Sequence, residues 1–287
     1  MTDRARAPLR IDLAGGWTDV PAFADAEGGA VVNVAITRYV HANGSSNATI
    51  AFEHDLAVGG LGSSACEHVL AEALRDPDAD LDDIAERAFA TETAAGVLGG
   101  RQDQYAACYG GLSFMTFTRA DAPGGPVRIE RLELPEAIVI GLQKRFVLVD
   151  SGIARLSGEI HQSVWSAYAR HENDVTGALL ALKQYARAMR DALVSNDFGG
   201  VRHVLDENWR QQKRLHPSVT NSDVDAIFDL AMANGASAGK ACGAGGGGAL
   251  VFYASSEGDA VALRHALAAA GVTIIDFAFD FEGLVDE

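Results

Sequence analysis

Cysteine is nearly absent from this sequence, and basic side chains are scarce. The three cysteines, Cys66, Cys108 and Cys242, are odd in number and far apart, with no Cys-x-x-Cys pair. That usage fits reduced thiols in a cytoplasm and excludes a disulfide framework or a cysteine zinc site. The eight histidines include no His-x-x-x-His pair, so a helical metal motif is missing as well. No apolar run approaches the ~20 residues of a membrane span, and Met1-Thr2-Asp3-Arg4-Ala5-Arg6 offers no signal-peptide apolar region. Lysine and arginine total 23 against 39 acidic residues, a formal charge of −16. Nucleic acid and anionic membranes are therefore excluded as partners. An anionic ligand would have to be met by local donors against that field. Internal repeats, coiled-coil heptads and low-complexity tails are also missing.

Glycine is what the sequence has in excess. Five of the six residues over 243–248 are glycine, and they run into the apolar segment 249–253. Each glycine loses maximal backbone entropy on folding, so such a run does not build a core. It makes sense where backbone N–H groups approach something closely, an anionic phosphate being the usual case. A flexible linker is the alternative, although linkers are richer in serine and other polar residues. A second cluster, Gly59-Gly60-Leu61-Gly62-Ser63-Ser64, leads into a helix with Cys66, Val69, Leu70, Ala73 and Leu74 on one face. Glycines before a helix start leave free N–H groups at the positive end of the dipole, which is an anion site. The lysine of a Gly-x-x-x-x-Gly-Lys-Ser/Thr loop is missing. Ser64-Ala65-Cys66-Glu67 also matches a capping box, a purely structural role for Ser64.

Along the chain, 287 residues with 48 % hydrophobic content suffice for one large domain or two intimate ones. Leu9-Arg10-Ile11-Asp12-Leu13 alternates as a half-buried strand does, with Arg10 and Asp12 on its polar face. Further strands are predicted over 30–39, 48–52, 112–117, 137–142, 146–149, 249–253 and 272–281. A Gly/Ser/Asn turn is expected over 43–47. Helices are predicted after Ser64, through 81–89, briefly beyond 101, over 157–193 and 201–215, up to Gly235, and over 260–270. The Pro/Gly-rich stretch 122–126 is the candidate domain junction. Strands and helices without regular βαβ alternation indicate an α+β fold.

Two carboxylates stand out. Glu92 falls three residues after Phe89 and four after Ala88, on the apolar face of its helix. A buried carboxylate without a partner costs several kcal/mol by rough estimate, so Glu92 needs either a basic side chain or a divalent metal. Asp103, in Gly99-Gly100-Arg101-Gln102-Asp103-Gln104-Tyr105, enters a helix where aspartate is also common as a cap. Thr18-Asp19, after Gly15-Gly16-Trp17, could likewise be turn chemistry.

Taken in order, the segments 9–23, 59–65, 92–103 and 240–248 resemble the GHMP kinases, the family of galactokinase, homoserine kinase and mevalonate kinase. Within that family, the sequence is most similar to bacterial heptose-phosphate kinases and fucokinase-type enzymes. The matching motifs include Pro8-Leu9-Arg10-Ile11, Gly15-Gly16-Trp17-Thr18-Asp19-Val20-Pro21, Arg101-Gln102-Asp103-Gln104-Tyr105-Ala106-Ala107, Glu207-Asn208-Trp209 and 276–283.

The resemblance implies a two-lobed α+β fold, with an N-terminal lobe over 1–130, a C-terminal lobe over 131–287 and the active site between them. It implies phosphoryl transfer from ATP to a hydroxyl, in particular the anomeric hydroxyl, of a sugar or sugar phosphate such as a heptose 7-phosphate. An unphosphorylated sugar, or a non-catalytic sugar-binding sensor, are the rival readings. Gly59, Gly60, Leu61, Gly62, Ser63 and Ser64 would wrap the nucleotide phosphates, and Ser64 with Glu92 would hold Mg²⁺. Asp103 would orient or deprotonate the attacking hydroxyl, with Arg10 steadying that hydroxyl or the transferring phosphoryl. Gly15, Gly16, Thr18, Asp19, Gln102, Gly245, Gly246 and Arg155 would meet the substrate. Arg101, Lys144, Arg155, Lys213 and Arg214 are candidates for a second phosphate. A homodimer is left open. Asp19 and Gly59 lie 40 positions apart, a much shorter interval than the family generally has. That interval supplies much of the adenine pocket, so the base-binding wall is expected to be reduced or built differently.

Overall fold

The computed structural model describes residues 4–44, 49–154 and 157–287. The chain begins with β1 (Arg4–Ala14), α1 (Pro21–Glu27), β2 (Gly29–Asn43) and β3 (Ala51–His54). Three helices follow, α2 (Ser63–Arg75), α3 (Leu81–Ala94) and α4 (Gln102–Tyr109), then the hairpin β4 (Leu112–Phe117) and β5 (Val127–Arg131). The second half contains α5 (Glu136–Gln143), β6 (Phe146–Asp150), α6 (Ser157–Ala169), α7 (Asn173–Val194), α8 (Phe198–Leu215) and α9 (Ser222–Ala233). It closes with β7 (Ala236–Ala241), β8 (Ala249–Ala254), α10 (Glu257–Ala269), β9 (Thr273–Ile275) and β10 (Val285–Asp286).

The described residues form two antiparallel sheets. The first runs β10-β1-β2-β4-β5, with β3 also paired to β2, and the second runs β7-β8-β6-β9. Apolar faces of α2, α3 and α4 supply Val69, Leu70, Ile84, Ala88 and Ala107 to a core shared with Leu9, Ile11 and Leu13 of β1. Met189 and Leu193 of α7 join this core from the second half. The other core gathers Val147, Leu179, Leu182, Phe252 and Leu263, and it takes in Trp17, Val20 and Phe23 from the first half. Burying a side chain such as Phe23 is worth about 1.5–3 kcal/mol, so the turn between β1 and α1 is anchored in the opposite core. That anchoring brings the two halves against each other along the cleft.

Several elements differ from the sequence reading. Segment 137–142, rich in Ile and Val, lies in the helix α5. Pro135 at its N-cap cannot donate to a ladder and starts a helix well, and Glu136 sits in the first turn. The helix expected over 157–193 is two helices, broken where His171 takes a left-handed φ of 57°. The strand expected over 272–281 is only β9, followed by an isolated bridge between Ile36 and Phe279. The Pro/Gly-rich stretch 122–126 is the loop between β4 and β5, which pair with each other, so it is no domain junction. The turn expected at 43–47 falls largely outside the described residues. The polar face of β1 is not open to solvent: Arg10 is 5 % and Asp12 4 % exposed. Lys240 of the carboxyl half covers Asp12, and Asp103, Gly60 and Cys242 close over Arg10.

A candidate active site at the junction of the two sheets

A cavity of about 770 Å³ opens where β1, the start of α2, the end of α3, the start of α4, α6 and the 243–244 segment meet. Arg10 forms its floor. Its Nε and Nη2 donate to Asp103 Oδ1 and Oδ2 at 2.7 and 2.9 Å, a bidentate fork. Its Nη1 donates to the carbonyls of Gly60 at 2.6 Å and Cys242 at 3.2 Å. One guanidinium thus ties together the α2 loop, the start of α4 and the glycine run. Burial pulls the Arg10 pKa down, but Asp103 more than offsets this and the net movement is upward.

Beside it, Lys240 of β7 is fully buried and donates from Nζ to Asp12 Oδ2 at 2.5 Å and to the Asp12 carbonyl at 2.8 Å. This ion pair joins the two sheets directly. Asp12 lines the cavity, whereas Lys240 stands behind it.

The start of α2 is bare. Gly62 is its N-cap at φ 85°, and no side chain caps the first turn. A residue with a Cβ is strained in that left-handed conformation. The capping box does not form: Ser64 Oγ donates to Glu92 Oε1 at 3.0 Å, and Glu67 pairs with His54 at 2.8 Å. The first-turn N–H groups of α2 therefore point toward the cavity without a side-chain acceptor, as anion binding requires.

Glu92 is 9 % exposed and reaches the cavity from the apolar face of α3. Its other oxygen accepts from Gln104 Nε2 at 2.6 Å. Burial, followed by the nearby Asp103 charge, raises its pKa, while Ser64, His68 and Gln104 oppose the rise. Such a carboxylate gains from a bound cation. Among the described residues no cluster of three or more His, Cys, Asp or Glu could hold a metal alone.

Asp19 is 3 % exposed and accepts from the Gln102 backbone N–H at 3.2 Å and from Gln102 Nε2 at 3.3 Å. Burial, with Asp103 as the second cause, pushes its pKa up to about 7. A folded-state value above the unfolded one means that folding favours the protonated carboxyl. Its contribution to stability is therefore full at low pH and is lost as pH rises from about 4 to about 7. Asp19→Asn is expected to flatten that decline, and urea midpoints measured from pH 4 to pH 7 will show it. Equal slopes in the two proteins would count against this environment for Asp19.

Not every expected residue reaches the cavity. Gly59, Gly60, Gly62, Ser63 and Ser64 line it, as do Gly16, Asp19, Gln102 and Asp103. Leu61 points away into the core and offers its carbonyl to the Arg10 N–H at 2.9 Å. Thr18 is fully buried, its hydroxyl bonded to the Gly15 and Ala30 carbonyls. Gly15 donates its N–H to Asn208 Oδ1 at 2.9 Å. These two residues hold the turn rather than face a ligand. In the glycine run, Gly243 and Ala244 line the cavity, whereas Gly245, at φ 94°, lies so close to Val219 that a Cβ would strike its carbonyl. Gly246 N–H bonds the same carbonyl at 2.7 Å. The close approach there is of backbone to backbone.

The cations proposed for a second phosphate also lie elsewhere. Arg101 is buried against Phe89 and pairs with Glu86, and Lys144 pairs with Glu257. Lys213 sits over the Trp209 ring and Arg214 pairs with Asp174. Arg155 lies outside the described residues. Sequence reasoning missed the Asp12–Lys240 pair, Gln104 and the Trp17–His161 contact. The only available signal was Gln104 standing one residue beyond Asp103.

Comparison with known proteins follows the same lines. Residues 189–273 match the GHMP kinases C terminal family. The solved D-glycero-D-manno-heptose 1-phosphate kinase of Bacteroides thetaiotaomicron superposes with a TM-score of 0.75 at 23 % identity, covering 98 % of this chain and 97 % of that one. The fold is that of a GHMP kinase. The D-glycero-alpha-D-manno-heptose 7-phosphate kinase of Campylobacter jejuni is 28 % identical over an alignment of 340 residues, 99 % of this chain and 98 % of the relative. That alignment exceeds the 287 residues here, so that relative carries segments with no counterpart in this chain. The bifunctional fucokinase/GDP-fucose pyrophosphorylase of Arabidopsis thaliana is 24 % identical over 92 % of this chain, which spans only 31 % of that protein.

Proposed function

We propose that this GHMP-fold protein is a sugar-phosphate kinase that transfers the γ-phosphoryl group of ATP to a hydroxyl of its acceptor. The anomeric hydroxyl of a heptose 7-phosphate is the leading target. The observation that carries this reading is the Arg10–Asp103 fork set beside the bare start of α2 in one cavity. Phosphoryl transfer passes through a loose transition state and needs placement and charge neutralisation more than covalent chemistry. The N–H groups at Ser63 and Ser64 supply the first, with the helix dipole behind them. Asp103, fixed by Arg10, accepts a hydrogen bond from the acceptor hydroxyl and aims its oxygen. Because two of its lone pairs are committed to Arg10, orientation is its principal task. Asp19 and Gln102, bonded to each other, are placed to hold neighbouring sugar hydroxyls.

Ser64 and Glu92 are the residues that would hold Mg²⁺, which supplies charge neutralisation at the phosphates. The raised pKa of Glu92 and its contact with Ser64 support that assignment. Glu92→Gln is expected to raise the Mg²⁺ concentration for half-maximal turnover by about tenfold or more, a metal titration being the check. Indifference to metal concentration would return Glu92 to a structural role. For the reading as a whole, nucleotide consumption is measured with heptose 7-phosphate, fucose and galactose. Turnover with the first supports it, and preference for fucose or galactose shifts the assignment to an unphosphorylated sugar. Tight sugar binding that Mg²⁺ does not affect, with no turnover of any sugar, would make the protein a sensor.

A further inference from the structure

One wall of the cleft is aromatic. Trp17 is 6 % exposed and stands at φ 82°, a conformation a bulky side chain keeps only when its surroundings enforce it. The Thr18 N–H bonds the Gly15 carbonyl across that turn at 3.2 Å. The indole lies along α6 against His161, with ring centroids 4.3 Å apart and planes inclined by 25°, and against Trp165 at 6.0 Å. His161 and Trp165 are one helical turn apart, so both meet the same ring. Trp17, His161 and Gln162 all line the cavity.

The charges around that cavity give this wall its meaning. Among the described lining residues, Asp12, Asp19, Glu92 and Asp103 are acidic, and Arg10 and His161 are basic. The Arg10 guanidinium is committed to Asp103 and two carbonyls. A phosphate carried in by the acceptor would therefore be repelled over most of this lining. His161 is the basic side chain that the α6 wall brings to that lining. An aromatic face stabilises a cation set against it by ~0.5–2 kcal/mol, and the Trp17 indole provides such a face.

We propose that His161, backed by the strained Trp17, selects an acceptor that carries a phosphate away from its reacting hydroxyl, with Gln162 adding an amide donor. This assignment rests on the kinase reading of the same cleft and makes His161 a specificity-determining residue. His161→Phe keeps a ring against Trp17 while removing the charge and both nitrogens. The wild type and this variant are compared with heptose 7-phosphate and with the dephosphorylated heptose at saturating ATP. The ratio of kcat/KM values, phosphorylated over unphosphorylated, is expected to fall at least tenfold in the variant. The fall should come through KM for the phosphorylated acceptor, with its kcat within a few-fold. An unchanged ratio, or a wild type that favours the unphosphorylated heptose, overturns the assignment. A wild type that turns over neither acceptor overturns the kinase reading instead. Calorimetric binding of both sugars to the two proteins then decides His161 separately: selective loss of the phosphorylated sugar supports it, and unaltered discrimination refutes it. If His161→Phe does not fold, His161→Gln takes its place in both measurements, with the same expected loss.

Discussion

Asp103→Asn is expected to lower turnover by about a hundredfold or more while acceptor and nucleotide affinities stay within a few-fold. The reason lies in the Arg10 fork. Asp103 presents two oxygens to Nε and Nη2 at 2.7 and 2.9 Å, and an asparagine of the same shape keeps only one acceptor there. Its amide N–H₂ would face a donor, the negative charge that aims the hydroxyl would be gone, and Arg10 would lose its counter-charge. Charge-assisted hydrogen bonds are roughly twice as strong as neutral ones, so the loss concentrates in the step that needs an aligned nucleophile. Single-turnover kinetics with separate binding titrations give the test, and a thermal melt shows that the variant remains folded. Turnover equal to wild type would remove Asp103 from the transfer. A matching rise in KM with kcat untouched would make it a binding residue only.

Lys240→Met is expected to cost about 3–5 kcal/mol of folding stability, because it leaves the Asp12 carboxylate buried without its cation. Asp12 is 4 % exposed and Lys240 is fully buried, and the ammonium also bonds the Asp12 carbonyl at 2.8 Å. Asp12 belongs to the first sheet and Lys240 to the second, so the bond bridges the two halves behind the cleft. Urea unfolding measures the loss. The double variant Asp12→Asn with Lys240→Met should recover much of it, since removing both members of a buried pair is often nearly neutral. A loss below about 1 kcal/mol for Lys240→Met would show that water or a rearranged neighbour solvates Asp12. The double variant also tests the cleft, because a bridge needed only for stability leaves turnover unaffected once stability returns.

What was legible in the sequence was local. Hydrophobic spacing put Glu92 on the inward face of its helix, and glycines before Ser64 marked a bare helix start. Both follow from periodicity and backbone conformation, which neighbouring residues set among themselves. The α5 segment shows the limit of such reasoning. Its Ile and Val content favours a strand, but intrinsic preference spans only about 1 kcal/mol, and Pro135 with the surrounding packing decides for a helix.

The sequence by itself determined that this is an acidic α+β protein. It also determined that Arg10, Ser64, Glu92 and Asp103 stand in motifs typical of a phosphate-handling enzyme. Only the tertiary structure decided how those residues are used. Asp103 follows Arg10 by 93 positions and Lys240 follows Asp12 by 228, so no local pattern could pair them. Burial selects such partners: a charge taken out of water must find its complement wherever the packed chain places one. The same rule sent Thr18, Leu61 and Gly245 away from the cavity and brought Trp17 and His161 to its wall. Their neighbours in space, rather than in sequence, satisfied or displaced them.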